Sequence, residues 1–441
     1  ADIVYYGENR ATSFDRYEFY KLVDAAGESV PAEEGSGKQV ETAEIRLRFI
    51  ARDVPALGYK TYYFVPKPRD ASPGQMMGIQ APGAMMPDFP EPAFAIEDVD
   101  ERVSSAKRGL RIGRSFTAGP FVVDVDEITG RIDLLTRDKR VLLEGLRIEG
   151  LEDRLDSPPG QFQPTGRLLP HTVTRVDLAE SGEVSALLNL AGTIGQSSAE
   201  IDLRLYEQLP VVDIRVSLAW RDHHPAMIQL SGSLGEWLGA GRCDVSLGTV
   251  DRQEVTWDRG IRSMTATDGK DQLTVSSGRS RLYIQDQDLR CSLLLSTPDP
   301  SSYAYNKVWL PYPDRLTYDF RIQLGEASGV PPMVDPSEDL SCQVVYDRSE
   351  PRSRPASRGT LEVESESVQV ASVRPVEGDV EVCAYEAMGA PGRAVYRSDC
   401  VDAGDEVDLQ GSVRGVVGAD VDFSQGEIKT IRFSASGNKT E

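Results

Sequence analysis

Alternation with a period of two dominates the chain. Val212, Ile214, Val216, Leu218 and Trp220 are separated one by one by Asp213, Arg215, Ser217 and Ala219, the pattern of a strand with one buried face. Ile45, Leu47 and Phe49 alternate with Arg46 and Arg48 in the same way. Phe121, Val123 and Val125 set Asp124 and Asp126 outward, and Ile201, Leu203 and Leu205 stand between Asp202, Arg204 and Tyr206. Short turns punctuate these runs at Asp24-Ala25-Ala26-Gly27, Thr129-Gly130, Ser181-Gly182, Asp268-Gly269 and Glu377-Gly378-Asp379. No segment carries a helical period over more than about two turns. The pattern predicts an all-β chain, large enough for stacked antiparallel sheets rather than one small sandwich.

Two stretches interrupt the strands. From Pro66 to about Ala106 the chain turns rich in Pro, Met and Gly, then acidic from Glu97 to Arg102. Its apolar content favours an ordered crossing loop that lays methionines on a sheet, and a partly mobile linker is the alternative. A second Pro-rich polar stretch, Ala327 to Gly359, reads as a domain boundary. The expected organisation is a small sandwich unit at 1–68, a connecting segment at 69–106, a large sandwich at 107–328, a linker at 329–359, a last sandwich at 360–435 and a tail at 436–441.

Charge and composition narrow the chemistry. In 441 residues, 70 acidic and 48 basic side chains leave a formal net charge of −22. That sign repels phosphate backbones and anionic lipid, so nucleic-acid and membrane partners are not expected. His171, His223 and His224 are the only histidines, without a His-x-His, His-x-Asp or HExxH spacing for a zinc site. Cys243, Cys291, Cys342, Cys383 and Cys400 are odd in number and widely spaced, and read as reduced, mostly buried thiols of a cytoplasmic chain. No apolar run approaches 18 residues and no signal peptide opens the sequence. Asn438-Lys439-Thr440 matches a glycosylation sequon without a secretory context to support it. The start at Ala1, with no initiator Met, is read as the start of a piece of something longer.

Four segments, in order, resemble the β-rich part of family 38 glycoside hydrolases, the α-mannosidases. Leu22-Val23-Asp24-Ala25-Ala26-Gly27-Glu28-Ser29-Val30-Pro31, followed by Val54-Pro55-Ala56-Leu57-Gly58-Tyr59-Lys60-Thr61-Tyr62, is similar to the family's small sandwich. Phe121 through Ile132, with Asp138-Lys139-Arg140 and Leu142-Leu143-Glu144 behind it, resembles the segment opening the family's large supersandwich. Leu203 through Asp213, and Trp220-Arg221-Asp222-His223-His224, form the third match, and Gly426-Glu427-Ile428-Lys429-Thr430-Ile431-Arg432 the last. The resemblance implies a large antiparallel, galactose mutarotase-like supersandwich flanked by smaller β-sandwich domains.

Each motif also has a physical reading. Gly130 supplies a φ > 0 turn position, Tyr59 is expected to bury its ring with its hydroxyl wet, and Trp220 falls on the buried phase as a core anchor rather than a sugar platform. These motifs are architectural.

In the family so resembled, catalysis belongs to an N-terminal barrel with zinc and two aspartates. Nothing in this sequence matches that barrel, its His-x-Asp ligands or the helical bundle after it. The resemblance therefore implies no catalytic residue and no cofactor in this chain, zinc or another divalent metal in a separate catalytic domain, and that barrel and carbohydrate as partners, with a homo-oligomer allowed.

For sugar contact, Ser301 to Pro313 offers Tyr303, Tyr305, Asn306, Trp309 and Tyr312, since aromatic faces stack on pyranose rings and amides bond hydroxyls. The competing reading is that these rings fill a gap between sheets. Arg281, Tyr283 and Arg290 lie where such a β region adds Arg and Tyr to the sugar-site rim, although no motif pins them. Asp222 and His224 are expected to bond each other across a turn.

Three functions compete: the non-catalytic C-terminal β region of an α-mannosidase-like hydrolase, a stand-alone carbohydrate-binding protein, and an aldose mutarotase or epimerase using His224 with a distant carboxylate.

Overall fold

The structure is a computed structural model of the full chain. It describes residues 2–6, 20–34, 44–54, 59–66, 113–154, 162–222, 225–238, 240–245, 248–251, 261–278, 280–285, 288–296, 315–326, 357–358, 361–397, 404–408 and 410–434. Among these the regular structure is β throughout, apart from one short 3₁₀ turn at Gly235–Leu238. The chain divides into two compact units, residues 1–95 with 180–184 and 342–359, and residues 96–179, 185–341 and 360–441.

The first unit holds β1 (Asp2–Tyr6), β2 (Tyr20–Val23), β3 (Ser29–Val30), β4 (Ala32–Glu34), β5 (Glu44–Phe49), β6 (Tyr59–Lys60) and β7 (Tyr63–Pro66). Among the described residues they pair in the orders β1-β5-β4 and β3-β2-β7. Leu22 and Phe49 centre its core, with the Phe49 and Tyr62 rings edge to face at 4.9 Å. Tyr59 is not buried as its motif suggests: it is 39% exposed, where β6 pairs with Ser357–Arg358.

The second unit is built on seventeen strands among its described residues before the C-terminal sheets. They are β8 (Gly113–Ala118), β9 (Phe121–Asp126), β10 (Ile132–Thr136), β11 (Val141–Asp153), β12 (Pro164–Leu168), β13 (His171–Ser181), β14 (Ser185–Ile194), β15 (Ser197–Tyr206) and β16 (Val211–Ala219). There follow β17 (Ala226–Ser233), β18 (Ala240–Val245), β19 (Gly248–Asp251), β20 (Ser263–Thr267), β21 (Asp271–Ser277), β22 (Arg281–Gln285), β23 (Asp288–Ser296) and β24 (Leu316–Glu326). One antiparallel sheet of eight described strands runs β22-β23-β17-β11-β10-β9-β8, with β12 on β11. A second, of nine described strands, runs β13-β14-β15-β16-β24-β21-β20-β18-β19.

The predicted alternations explain how these sheets stack. Val212, Ile214, Val216, Leu218 and Trp220 are all buried, as are Ile201, Leu203 and Leu205, and Phe121, Val123 and Val125. Close approach of the two sheets needs small residues. A Cβ on Gly150 of β11 would lie 3.0 Å from the Ile194 side chain of β14, and one on Gly119, at φ +54, would run into the Tyr206 carbonyl oxygen.

The turn after β9 forms as its sequence predicts: Gly130 sits at φ +67 and the Asp126 carboxylate caps the amides of Ile128 and Thr129. β25 (Ser357–Arg358) belongs to the first unit, and the C-terminal strands of the second are β26 (Glu362–Glu364), β27 (Val368–Val376), β28 (Asp379–Glu386), β29 (Gly392–Arg397), β30 (Gly404–Val407), β31 (Val413–Val417), β32 (Asp420–Phe423) and β33 (Ile428–Phe433). Among described residues β26-β29-β32 and β27-β28-β33-β30-β31 face each other across a core of Val382, Ala384, Tyr396, Phe423, Ile431 and Phe433.

The fold class is thus all-β, with a large antiparallel two-sheet sandwich and several smaller sheets. Cys243, Cys291 and Cys383 are free thiols. No described helix is long and apolar enough to cross a membrane.

Candidate functional site

The most distinctive polar feature lies on the eight-stranded sheet, on the face turned away from its apolar core. Four strands alternate in step. Leu146 and Ile148 on β11, Leu230 on β17, Cys291 on β23 and Leu282 on β22 are buried on the core face. The residues between them stand on the other face. Register then aligns those residues across the strands: Arg147 pairs with Ser231, Ser231 with Arg290, and Arg290 with Tyr283. The neighbouring row joins Glu149, Gln229, Ser292 and Arg281. Cross-strand neighbours about 5 Å apart can bond directly, so the two rows become one polar ledge.

Its hydrogen bonds form a chain. The Tyr283 hydroxyl donates to Gln229 Oε1 at 2.5 Å, and Gln229 Nε2 donates to Glu149 Oε2 at 3.0 Å. Arg147 Nε donates to Glu149 Oε1 at 2.8 Å, and Ser231 also bonds this carboxylate. Arg290, on the strand between Tyr283 and Gln229, also bonds Tyr283. Gln229 is fully buried, and Tyr283 and Ser231 nearly so, while Arg281 is exposed at the edge strand.

Burial pushes the Glu149 carboxyl upward, but the bonds from Gln229, Arg147 and Ser231 outweigh it and hold the group below its ordinary value. Burial pushes the Tyr283 hydroxyl up to about 12. At neutral pH the ledge therefore offers an ionised carboxylate and a protonated phenol, both engaged by neighbours. A general acid and base with values near neutrality would serve proton transfer to a sugar, and this pair is tuned away from that. The chemistry it suits is hydrogen bonding to hydroxyl groups or anions at its guanidinium-bearing rim.

Of the residues singled out in the sequence, the structure brings Tyr283, Arg290 and Arg281 together on this ledge. Tyr303, Tyr305, Asn306, Trp309, Tyr312 and His224 lie outside the described residues. Asp222 is buried, and its carboxylate accepts from the Gln196 amide at 3.0 Å and from Ser197 Oγ at 2.5 Å, closing the β14–β15 turn. Sequence reasoning missed Arg147, Glu149, Gln229 and Ser231. The signal was there in the alternation Leu146-Arg147-Ile148-Glu149, yet a polar residue facing out of a strand is ordinary until register gathers four of them.

Among the described residues no three His, Cys, Asp or Glu side chains gather to hold a metal ion, so they give zinc no donor set. His171 begins β13 with its ring against Gly130 and bonded to the Thr129 backbone. Burial, with a contribution from the Arg147 charge, holds this imidazole below its ordinary value.

Neither a protein-family model nor a curated protein matches the chain. Among solved structures, the chain is similar to a protein in glycosyl hydrolase family 38 from Enterococcus faecalis, with 10% identity, a TM-score of 0.64 and coverage of 94% of this chain. It spans about half of that protein, 52% of its length. A galactose mutarotase-like protein from Clostridium acetobutylicum (8% identity, TM-score 0.31) and a galactose mutarotase related enzyme from Lactobacillus acidophilus (7%, 0.30) cover 48% and 49% of the chain and 95% and 98% of their own. Those two scores are too low to define a shared fold.

Proposed function

We propose that the chain is the non-catalytic C-terminal β region of an α-mannosidase-like glycoside hydrolase, which supports a catalytic barrel and contributes to the rim of its sugar site. The observation that carries this reading is the fold likeness to a family 38 protein over 94% of this chain but only 52% of that one. The ordered motifs from Leu22 to Arg432 support the same reading from the sequence side. In the parent protein, zinc-dependent retaining hydrolysis of α-mannosides would be performed by the barrel. This chain would contribute packing surface and polar side chains.

The decisive experiment is to read the coding region upstream of Ala1. A continuous frame encoding a barrel with a His-x-Asp pair is the expected result, and an initiation codon next to Ala1 would overturn it. The purified chain should also leave an aryl α-mannoside intact, with or without added zinc.

A second reading, a stand-alone carbohydrate-binding protein, is favoured by the ledge itself, because Arg147, Glu149, Gln229 and Arg290 are the side-chain types that bond sugar hydroxyls. An initiation codon at the start, together with saturable sugar binding, would select it. Mutarotase or epimerase chemistry is the least favoured, given the ionised Glu149 and the protonated Tyr283.

A further inference from the structure

At one end of the ledge, Arg131 and His171 each lie against a glycine, with the Arg147 charge near enough to act on His171. Arg131 lies flat against the β11 backbone at Gly145, where an added Cβ would fall 2.6 Å from its Nη2 and 3.2 Å from its Cζ. Arg147 follows Gly145 beyond a bulge in β11, and Leu146 between them pairs with Ile132, the residue after Arg131. The His171 ring lies against Gly130, the residue before Arg131, at 3.0 Å from where a Cβ would be. Gly130 and Gly145 both take positive φ, +67 and +66, and the missing side chains are what allow His171 and Arg131 to approach the backbone.

The acids nearby are bonded to groups other than the Arg131 side chain. The Asp133 carboxylate accepts the Gly145 amide at 2.6 Å, and Glu149 is shared among Arg147, Gln229 and Ser231. The Arg131 side chain makes no hydrogen bond or ion pair with a described residue, and the Arg147 side chain bonds Glu149, through Nε and Nη2. The Arg147 side chain remains 36% exposed. In a chain of net charge −22, the Arg131 guanidinium stands without a carboxylate partner among the described residues, beside the partly exposed Arg147 whose charge Glu149 shares. Arginine forks match oxyanions by geometry as well as charge.

We infer that Arg131, Arg147 and His171 form an oxyanion subsite that takes a carboxylate or phosphate carried on a sugar. The sugar hydroxyls would then lie along the ledge toward Glu149. The inference rests on the carbohydrate part of the preceding reading. The two fail separately, since an upstream barrel bears on the parent and the present test bears on the ligand.

The test is a titration of the full chain, reading the imidazole carbon-bound proton signals by NMR. Only three histidines contribute, and a His171→Gln variant assigns the relevant one. The probes are D-glucuronate, D-glucose 6-phosphate, D-glucose and inorganic phosphate. A saturable shift of the His171 signal with glucuronate or glucose 6-phosphate, absent with glucose at equal concentration, is expected, and which of the two binds more tightly identifies the oxyanion. Arg131→Gln should weaken that binding at least about fivefold with an unchanged unfolding midpoint, since the side chain has no described partner to lose. Arg393→Gln, at an exposed pair with Asp420 in the C-terminal sheets, should leave it unchanged. The inference is overturned if glucose matches the anions, if none of the probes shifts His171, if Arg131→Gln binds as well as the native chain, or if inorganic phosphate binds as tightly as the sugar anions, which would mean an adventitious ion only.

Discussion

Tyr283→Phe is the sharpest probe of whether the polar ledge is a connected network. The substitution keeps the ring, which is 2% exposed, and removes only the hydroxyl that donates to Gln229 Oε1 at 2.5 Å. Because Gln229 is 0% exposed, water cannot replace the lost donor without rearrangement. A buried acceptor left unsatisfied costs about 1–3 kcal/mol, and in a large unit each kcal/mol lowers the melting temperature by about 2–4 °C. The assay is urea unfolding of the native chain, Tyr283→Phe, Gln229→Leu and the double variant, followed by tryptophan fluorescence. Because the residues touch, the double variant should lose less than the sum of the singles, by roughly 0.5–3 kcal/mol. A second readout is alkaline stability. The folded phenol is pushed up to about 12 from an ordinary value of 10.0, so its stabilisation is intact below pH 10 and is lost as pH rises toward 12. Tyr283→Phe should flatten that limb. A loss under about 0.5 kcal/mol, with strictly additive singles, would refute a network at this site.

Other outcomes follow from the same geometry. Glu149 is held below its ordinary value of 4.5, so its stabilisation is present above that pH and is lost as pH falls through the folded value; Glu149→Gln should weaken the acid dependence of the unfolding midpoint below about pH 4.5. Gly119→Ala must place a Cβ against the Tyr206 and Glu207 carbonyl oxygens at φ +54, and should destabilise by about 2 kcal/mol or more in urea titration. Glu386 accepts the amides of Met388, Gly389 and Gly426 at 2.5, 3.0 and 2.9 Å, so Glu386→Ala should speed hydrogen exchange at those three amides, leaving the β14–β15 hairpin as slow as before.

Much of the fold was legible because a period of two reports burial directly. Phe121, Val123 and Val125, and the run from Val212 to Trp220, point inward as their spacing requires, and Gly130 takes the positive φ that its turn demands. Tyr59 went the other way. Its motif placed the ring inside, but the two-residue strand on which it sits pairs only with Ser357–Arg358 among described residues and leaves it 39% exposed. The buried Asp222 carboxylate is used by the turn at Gln196 and Ser197, and the histidine it was expected to bond lies outside the described residues.

What the sequence determined by itself was the face on which each side chain lies, since strand geometry sends alternate residues to opposite sides whatever the partner. It therefore settled the all-β class and most of the core. Which strands would be neighbours was decided only by the tertiary structure. Arg147, Ser231, Arg290 and Tyr283 lie on β11, β17, β23 and β22, and three registers make them one row. Antiparallel pairing between segments far apart in sequence depends on how whole sheets bury their apolar faces, and no local pattern encodes it. The same holds for Arg131 and His171, whose side chains lie against Gly145 and Gly130 because those positions carry no Cβ.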